Sequence, residues 1–97
     1  MTPVKKLEIV IDHPALPVLL DRLEQIGVHD YTLIRDVEGR GHRGWMAGDG
    51  LSGEFSNCYL MIAVPPDEAQ RIIEQIRPIL REQGGMCLLS DALWVKH

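Results

Sequence analysis

A glycine-rich segment interrupts the chain near its middle and sets limits on any fold that the chain can adopt. Residues 39–54 read GRGHRGWMAGDGLSGE and contain six of the nine glycines. Glycine has no Cβ, so such a stretch accepts φ > 0 and lets backbone N–H groups approach a ligand closely. A loop of this length is uncommon in a small domain unless it is functional or disordered. We expect a functional loop carried by a scaffold; a plain hairpin connection is the alternative.

On each side of this segment the hydrophobic pattern changes from strand to helix and back to strand. Leu7, Ile9 and Ile11 alternate with more polar residues, which indicates a strand with one buried face. Apolar residues then recur at helical spacing and end at Gly27, the expected C′ residue. The second half repeats the order. The predicted strands cover residues 4–11, 31–37, 55–64 and 86–95, and the predicted helices begin near Pro14 and Pro66.

Two places in the second half predict irregular backbone. Pro78 lies inside the helical pattern, where it removes one backbone hydrogen bond, so we expect a kink or a break there. Ser90, Asp91 and Ala92 interrupt the last strand pattern and predict a bulge or a turn.

The element order β-α-β, long loop, β-α-β predicts an α+β fold. It is the ferredoxin-like βαββαβ plait, with an antiparallel four-stranded sheet and both helices on one face. The long loop joins strands 2 and 3. The uncovered sheet face would carry large apolar residues, and we expect an oligomer to bury it. The residues expected on that face are Tyr31, Leu33, Tyr59, Met61 and Trp94.

Composition narrows the classes of function. The 97 residues form a single domain, 1–97, with a net charge of −4 and no basic run, so nucleic-acid binding is not expected. No signal peptide or apolar membrane span is evident, which favours the cytoplasm. Cys58 and Cys87 lie in apolar strand patterns and are expected to be reduced, although a disulfide stays open. The four histidines lack HxxxH or HExxH spacing, so no metal site is expected.

Three stretches together resemble the PII signal-transduction superfamily. KKLEIVID resembles the family's opening strand, YTLIRDVEGRG resembles the strand that enters the family's T-loop, and IAVPPDEAQRIIEQI resembles its third strand and second helix. The resemblance covers nearly the whole chain and makes 39–54 the T-loop equivalent of a PII-like domain. It implies a homotrimer that binds adenine nucleotide between subunits at the T-loop base, and a T-loop that changes shape to engage a partner.

The chain also departs from the family pattern. The family's phosphate-binding Lys before the last strand is missing from Glu82–Gly85, and the family's R-x-R falls on Trp94 and Lys96. One extra residue before the GxG suggests a bulge near Arg35–Asp36. GRGHRG is similar to the PII-like proteins associated with bicarbonate transporters and carboxysomes. The resemblance therefore favours ADP or AMP over ATP, with bicarbonate as a further ligand.

The resemblance also assigns residues to a nucleotide site. Val10, Thr32 and Val64 match the adenine slot, although ordinary core packing would explain them equally well. Glycines would present N–H groups to phosphate, and basic side chains would pair with it. The assigned nucleotide-binding residues are Val10, Thr32, Gly39, Arg40, Gly41, His42, Arg43, Val64, Gly84, Gly85 and Lys96. Trp45 and Met46, unusual in a glycine-rich loop, are the expected partner anchors.

These assignments predict a non-catalytic sensor of adenine nucleotides that regulates an unidentified protein, such as a bicarbonate transporter or a carboxysome-related protein. No cofactor is expected beyond the nucleotide and the bicarbonate. Two alternatives share the fold: a small acylphosphatase-like hydrolase and a metal-responsive trimer resembling the CutA proteins. The first lacks a recognisable carboxylate or nucleophile set, and the second lacks His and Cys clusters.

Overall fold

The structure is a computed structural model. It describes residues 1–38 and 56–97 in full and, between them, the backbone of two short strands. In chain order the elements are β1 (Thr2–Asp12), a 3-10 helix (His13–Ala15), α1 (Leu16–Gln25), β2 (Thr32–Val37), β3 (Arg40–Gly41), β4 (Gly44–Trp45), β5 (Asn57–Val64), α2 (Pro66–Gln83) and β6 (Met86–Trp94). Four strands form an antiparallel sheet in the order β2-β5-β1-β6, and β3 pairs with β4. The ferredoxin-like α+β fold predicted from the sequence is confirmed.

The hydrophobic core lies between one face of the sheet and the two helices. Alternate residues of β1 and β5 point into it, and the apolar stripes of α1 and α2 cover them. Full burial of such a side chain contributes about 1.5–3 kcal/mol. The largest core side chains that are completely buried are Leu7, Ile9, Ile11, Leu16, Leu19, Leu23, Leu60, Ile62, Ile72 and Ile76.

Local sequence signals fix both ends of the first helical stretch. The Asp12 side chain accepts a hydrogen bond from the Ala15 backbone N–H at 3.1 Å, so it caps the 3-10 helix that leads into α1. At the other end Gly27 has φ +87, and the Val28 N–H donates to the Leu23 carbonyl at 2.8 Å. This arrangement is a Schellman motif, as the glycine predicted.

The bulge expected in β2 is confirmed. The β2–β5 register shifts by one residue between Ile34 and Val37, and Asp36 has φ +61, the one positive φ of a non-glycine residue in the described part of the chain. The Ser56 hydroxyl donates to the Asp36 carboxylate at 3.1 Å. The extra residue therefore changes the strand direction immediately before the glycine-rich segment.

The second helix has no break at its proline, and the last strand has no bulge. α2 does not break at Pro78 but runs from Pro66 to Gln83, because Ile76 and Ile79 on either side of the proline are both buried against the sheet. β6 shows no bulge at Ser90, because its register with β1 is unbroken from Thr2↔Trp94 to Val10↔Met86.

The predicted positions of two side chains are wrong, and the structure excludes the disulfide that the sequence left open. Leu33 lies on the helix-covered face, because it pairs with the buried Leu60, and Tyr31 precedes β2. Cys58 and Cys87 are free and lie on β5 and β6, with β1 between them. That places their Cα atoms about 10 Å or more apart, beyond the roughly 7 Å limit for a disulfide.

Candidate functional site

The two ends of the glycine-rich segment meet at one end of the sheet. Val37, the last residue of β2, pairs with Asn57, the first residue of β5, and Asn57 pairs with Asp12 on β1. We call this the loop end of the sheet. The opposite end, where Lys5 pairs with Val64 and Thr2 pairs with Trp94, is the far end.

A close backbone contact brings the α2–β6 connection against β1 at the loop end. Gly84 and Gly85 have φ +82 and +113, a region that favours glycine. A Cβ on Gly85 would lie 2.7 Å from the Val10 carbonyl oxygen, so this position has no room for any other residue. The structure thus brings together Val10, Gly84 and Gly85, three of the assigned residues, beside the strands that lead into the glycine-rich segment.

Polar side chains near the loop end were missed by the sequence assignment. Arg35 Nη1 lies 3.4 Å from His13 Nε2, and Asn57 is only 1% exposed. The Oδ1 atom of Asn57 has no hydrogen-bond donor in the described part of the chain. Burial raises the pKa of the neighbouring Cys58 thiol, while the Arg35 charge opposes that rise. The signal in the sequence was the cluster of polar residues just outside the glycines.

Three other assigned residues lie away from the loop end. Val64 is buried on the helix-covered face at the far end, and Lys96 is exposed beyond β6 at the same end. Thr32 is exposed on the uncovered face, opposite Met61. With about 3.3 Å per strand residue, Val10 is separated from the Thr2–Trp94 pair by about 27 Å along β1.

The remaining assigned residues fall in the glycine-rich segment. For Arg40, Gly41 and Trp45 only the backbone is described, in the β3–β4 pair where Arg40 faces Trp45. The other four assigned residues lie outside the described part of the chain: Gly39, His42, Arg43 and Met46.

The uncovered sheet face, which we call the open face, carries exposed apolar side chains. Tyr59 and Met61 lie on it half-buried, as predicted, because they alternate with buried β5 residues. In the described residues no helix is long and apolar enough to span a membrane, and no group of three or more His, Cys, Asp or Glu side chains is placed to hold a metal ion. The strongly exposed apolar residues on this face are Ile34, Met86, Leu88 and Trp94.

The plait, its bulged second strand and the glycine-rich segment between β2 and β5 define the class of PII-like proteins. A profile of the family described as nitrogen regulatory protein P-II matches residues 4–96, so the chain belongs to that family. It has the fold of nucleotide-binding signalling proteins. A comparison with curated protein sequences found no significant match.

Solved structures with this fold include a PII-like protein whose ligands are known. CPII from Thiomonas intermedia K12, bound to ADP, AMP and bicarbonate, matches with a TM-score of 0.80 and 24% identity, covering 93% of this chain and 86% of CPII. The same protein bound to ADP and bicarbonate matches with a TM-score of 0.78, 26% identity and the same coverage. A PII-like signalling protein from Thermus thermophilus matches with a TM-score of 0.75 and 21% identity, covering 97% of this chain and 91% of that one.

Proposed function

We propose that this chain is a non-catalytic, cytoplasmic PII-like signalling protein that works as a homotrimer. It binds ADP or AMP between subunits at the base of residues 39–54. The bound nucleotide selects one conformation of that segment, and a protein partner recognises the conformation.

The observation that carries this proposal is the separation of the assigned residues. Val10, Gly84 and Gly85 lie at the loop end, whereas Val64 and Lys96 lie at the far end. The side chains of Val10 and Val64 also point to opposite faces of the sheet. One subunit therefore cannot enclose a nucleotide with both groups. Two adjacent subunits can do so, if the loop end of one faces the far end of the next.

The choice of ligand follows from the hydrogen-bond donors within the glycine-rich segment. The N–H groups of Gly39 and Gly41 and the guanidinium groups of Arg40 and Arg43 suit phosphate oxygens. No Lys occurs in Glu82–Gly85 to grip a third phosphate, which favours ADP or AMP over ATP. The CPII structures support the same ligand class, since CPII is bound to ADP, AMP and bicarbonate. We propose bicarbonate as the second ligand and regulation of inorganic-carbon metabolism as the role.

The partner would bind residues 39–54. Trp45 and Met46 are the anchors we propose, because a few residues, Trp prominent among them, carry most of the binding energy of an interface and Met is also enriched there. A bicarbonate transporter or a carboxysome-related protein is the class of partner that the role implies.

Calorimetric titration with AMP, ADP, ATP and cyclic AMP, each with and without bicarbonate, tests this function. We expect saturable binding near one nucleotide per subunit, weaker binding of ATP than of ADP, and an ADP affinity that changes with bicarbonate. The absence of heat and of any thermal shift with all four nucleotides would overturn the proposal. Nucleotide turnover would favour the hydrolase instead, and stability that depends on a metal would favour the CutA-like trimer.

A further inference from the structure

A groove at the far end of the sheet lies beside β1 and β6, next to the start of α2. We call it the far-end groove. It has a volume of about 280 Å³, and no residue assigned to the nucleotide or to the partner is among the described residues that line it. It opens on the helix-covered face, because Lys5 shares the strand alternation of the buried Leu7. The side chains that shape it are Pro3, Lys5, Pro66, Asp91 and Leu93.

One ion pair forms the polar part of the far-end groove. Lys5 and Asp91 are cross-strand partners, and Lys5 Nζ lies 2.5 Å from Asp91 Oδ1. The Lys5 side chain is 32% exposed and the Asp91 side chain is 84% exposed, so a ligand can reach both charges from solvent. An exposed pair of this kind contributes little to stability, and each group can therefore exchange its partner at small cost.

Apolar side chains form the rest of the groove. Pro3 and Leu93 are cross-strand partners beside the ion pair, and Pro66 begins α2. Leu93 is 55% exposed, so it offers apolar area that a ligand would remove from water. A ligand that fits this groove therefore has a small apolar portion next to a charged portion.

The two charges of the groove indicate the class of ligand. A ligand with a single charge would be attracted by one member of the pair and repelled by the other. An α-amino acid carries its ammonium and carboxylate groups on one carbon, so it presents both charges as close together as Lys5 and Asp91 do. The volume lies just below the range of about 300–1,000 Å³ that is usual for drug-sized ligands, which suits a molecule of amino-acid size.

A second cavity, between the α1–β2 connection and the start of α2, lacks these properties. It measures about 170 Å³ and contains Arg71 and Glu68, whose Nη2 and Oε1 atoms are 2.7 Å apart. Arg71 Nη1 also donates to the Ile26 carbonyl at 3.1 Å and so joins α2 to the end of α1. This arginine is already bound to the backbone and is less free to exchange its partner than Lys5.

We infer that the far-end groove binds a free α-amino acid with an apolar side chain. The carboxylate of the ligand binds Lys5, and its ammonium group binds Asp91. Its side chain packs against Pro3, Pro66 and Leu93. The site is separate from the nucleotide site, so it goes beyond the proposed function and gives the protein a second small-molecule input.

Nuclear magnetic resonance of the isotope-labelled full chain tests this site with four probes. L-Leucine should shift the backbone amide signals of residues 4–5 and 91–93 in a saturable way, with a dissociation constant on the order of 1 mM. 4-Methylpentanoate lacks the ammonium group, 3-methylbutylamine lacks the carboxylate, and glycine lacks the side chain. Each should bind about tenfold or more weakly than L-leucine, because one of the three contacts is missing.

Two single variants assign the charges of the ligand to their partners. Lys5→Met should weaken L-leucine about tenfold without weakening 3-methylbutylamine, which has no carboxylate for Lys5 to bind. Asp91→Asn should weaken L-leucine to a similar extent without weakening 4-methylpentanoate. A purely structural role of the ion pair would not produce this crossed pattern. The control variants Glu74→Gln and Arg77→Met remove an exposed pair on α2, 3.4 Å apart, and should leave L-leucine binding unchanged.

The outcomes separate this inference from the proposed function. Circular dichroism first checks that each variant is folded. The absence of saturable shifts with L-leucine overturns the inference and leaves the nucleotide function standing. Equal binding of L-leucine and 4-methylpentanoate also overturns it, because the ammonium group then has no partner. If the dipeptide leucylglycine binds as tightly as L-leucine, the ligand is a peptide N-terminus and the free amino acid is wrong. An absence of ADP binding with the L-leucine shifts intact contradicts the proposed function alone.

Discussion

Gly85 shows how one residue can hold two elements in place. Its φ of +113 and the 2.7 Å that would separate an added Cβ from the Val10 carbonyl oxygen both exclude a side chain. We expect Gly85→Ala to lower the free energy of unfolding by about 2 kcal/mol or more. Gly27→Ala is the matched control, because Gly27 has φ +87 but open space around it, and should cost only about 1 kcal/mol. Urea denaturation measures both, and an equal loss would show that the contact with Val10 does not matter.

The hydrogen bond between Tyr59 and Glu8 predicts a pH dependence with two limbs. The Tyr59 hydroxyl, followed by the Lys6 charge, holds the pKa of Glu8 below its ordinary value, while the bond to Glu8 raises the pKa of Tyr59. The Glu8 contribution is therefore present above its unfolded-state pKa and is lost as pH falls through the lower folded-state pKa. The Tyr59 contribution is present below the unfolded-state pKa of tyrosine and is lost as pH rises through the higher folded-state pKa.

Denaturation midpoints across pH test these two limbs with single variants. Glu8→Gln should remove the acid limb, and Tyr59→Phe should remove the alkaline limb while also weakening the acid one. His29→Gln, which changes an exposed side chain on another surface, is the control and should leave both limbs in place. An alkaline limb that survives in Tyr59→Phe would show that another group is responsible.

Among the secondary-structure elements, α2 continues through a proline that removes one of its backbone hydrogen bonds. Pro78 cannot donate to the Glu74 carbonyl, yet the helix continues to Gln83. We expect Pro78→Ala to stabilise the protein by about 1–3 kcal/mol, because it restores a donor, although the freer unfolded chain offsets part of the gain. Pro66→Ala at the first helical position should change stability by no more than about 0.5 kcal/mol. Thermal melts of both variants suffice, and destabilisation by Pro78→Ala would contradict this account.

The same elements show which details of the strands can be predicted from the sequence. The bulge in β2 was predictable, since an extra residue before the glycines must be accommodated in a strand whose neighbours are fixed. The regular course of β6 was not, because Ser90 and Asp91 look like turn residues. In the fold Lys5 pairs with Asp91 across the strands, and that contact depends on residues distant in the chain. The position of Leu33 was missed for a related reason, as the register with Leu60 decides which face it occupies.

For the whole molecule, the sequence was sufficient to predict the topology, but it predicted only part of the arrangement of the site. Two β-α-β patterns around a long loop leave few alternatives to the plait. The sequence could not show that Gly85 contacts Val10 or that Val64 and Lys96 lie at the other end of the sheet. Such distances follow from strand register. The polar residues that flank the glycines point to the region of Asn57, but the sequence does not show that this particular amide is buried.

A nucleotide site shared between subunits can be tested only in the assembled trimer. Arg40→Ala changes a residue that follows the loop end of β2, and Lys96→Met changes one beyond the far end of β6. If each site takes its loop-end group from one subunit and its far-end group from the next, both variants lose ADP affinity as homotrimers. Mixed trimers regain an intact site wherever a Lys96→Met subunit supplies the loop end and an Arg40→Ala subunit supplies the far end.

Random mixing of the two variants in equal amounts should therefore restore tight ADP binding to about a quarter of the sites, since three quarters of the trimers are mixed and each has one intact site in three. Unfolding and refolding the mixture allows the exchange, and calorimetric titration counts the sites. Refolding each variant alone is the control and should restore none. If the mixture also restores none while exchange is shown by mass spectrometry, Lys96 acts within its own subunit and the shared site is wrong.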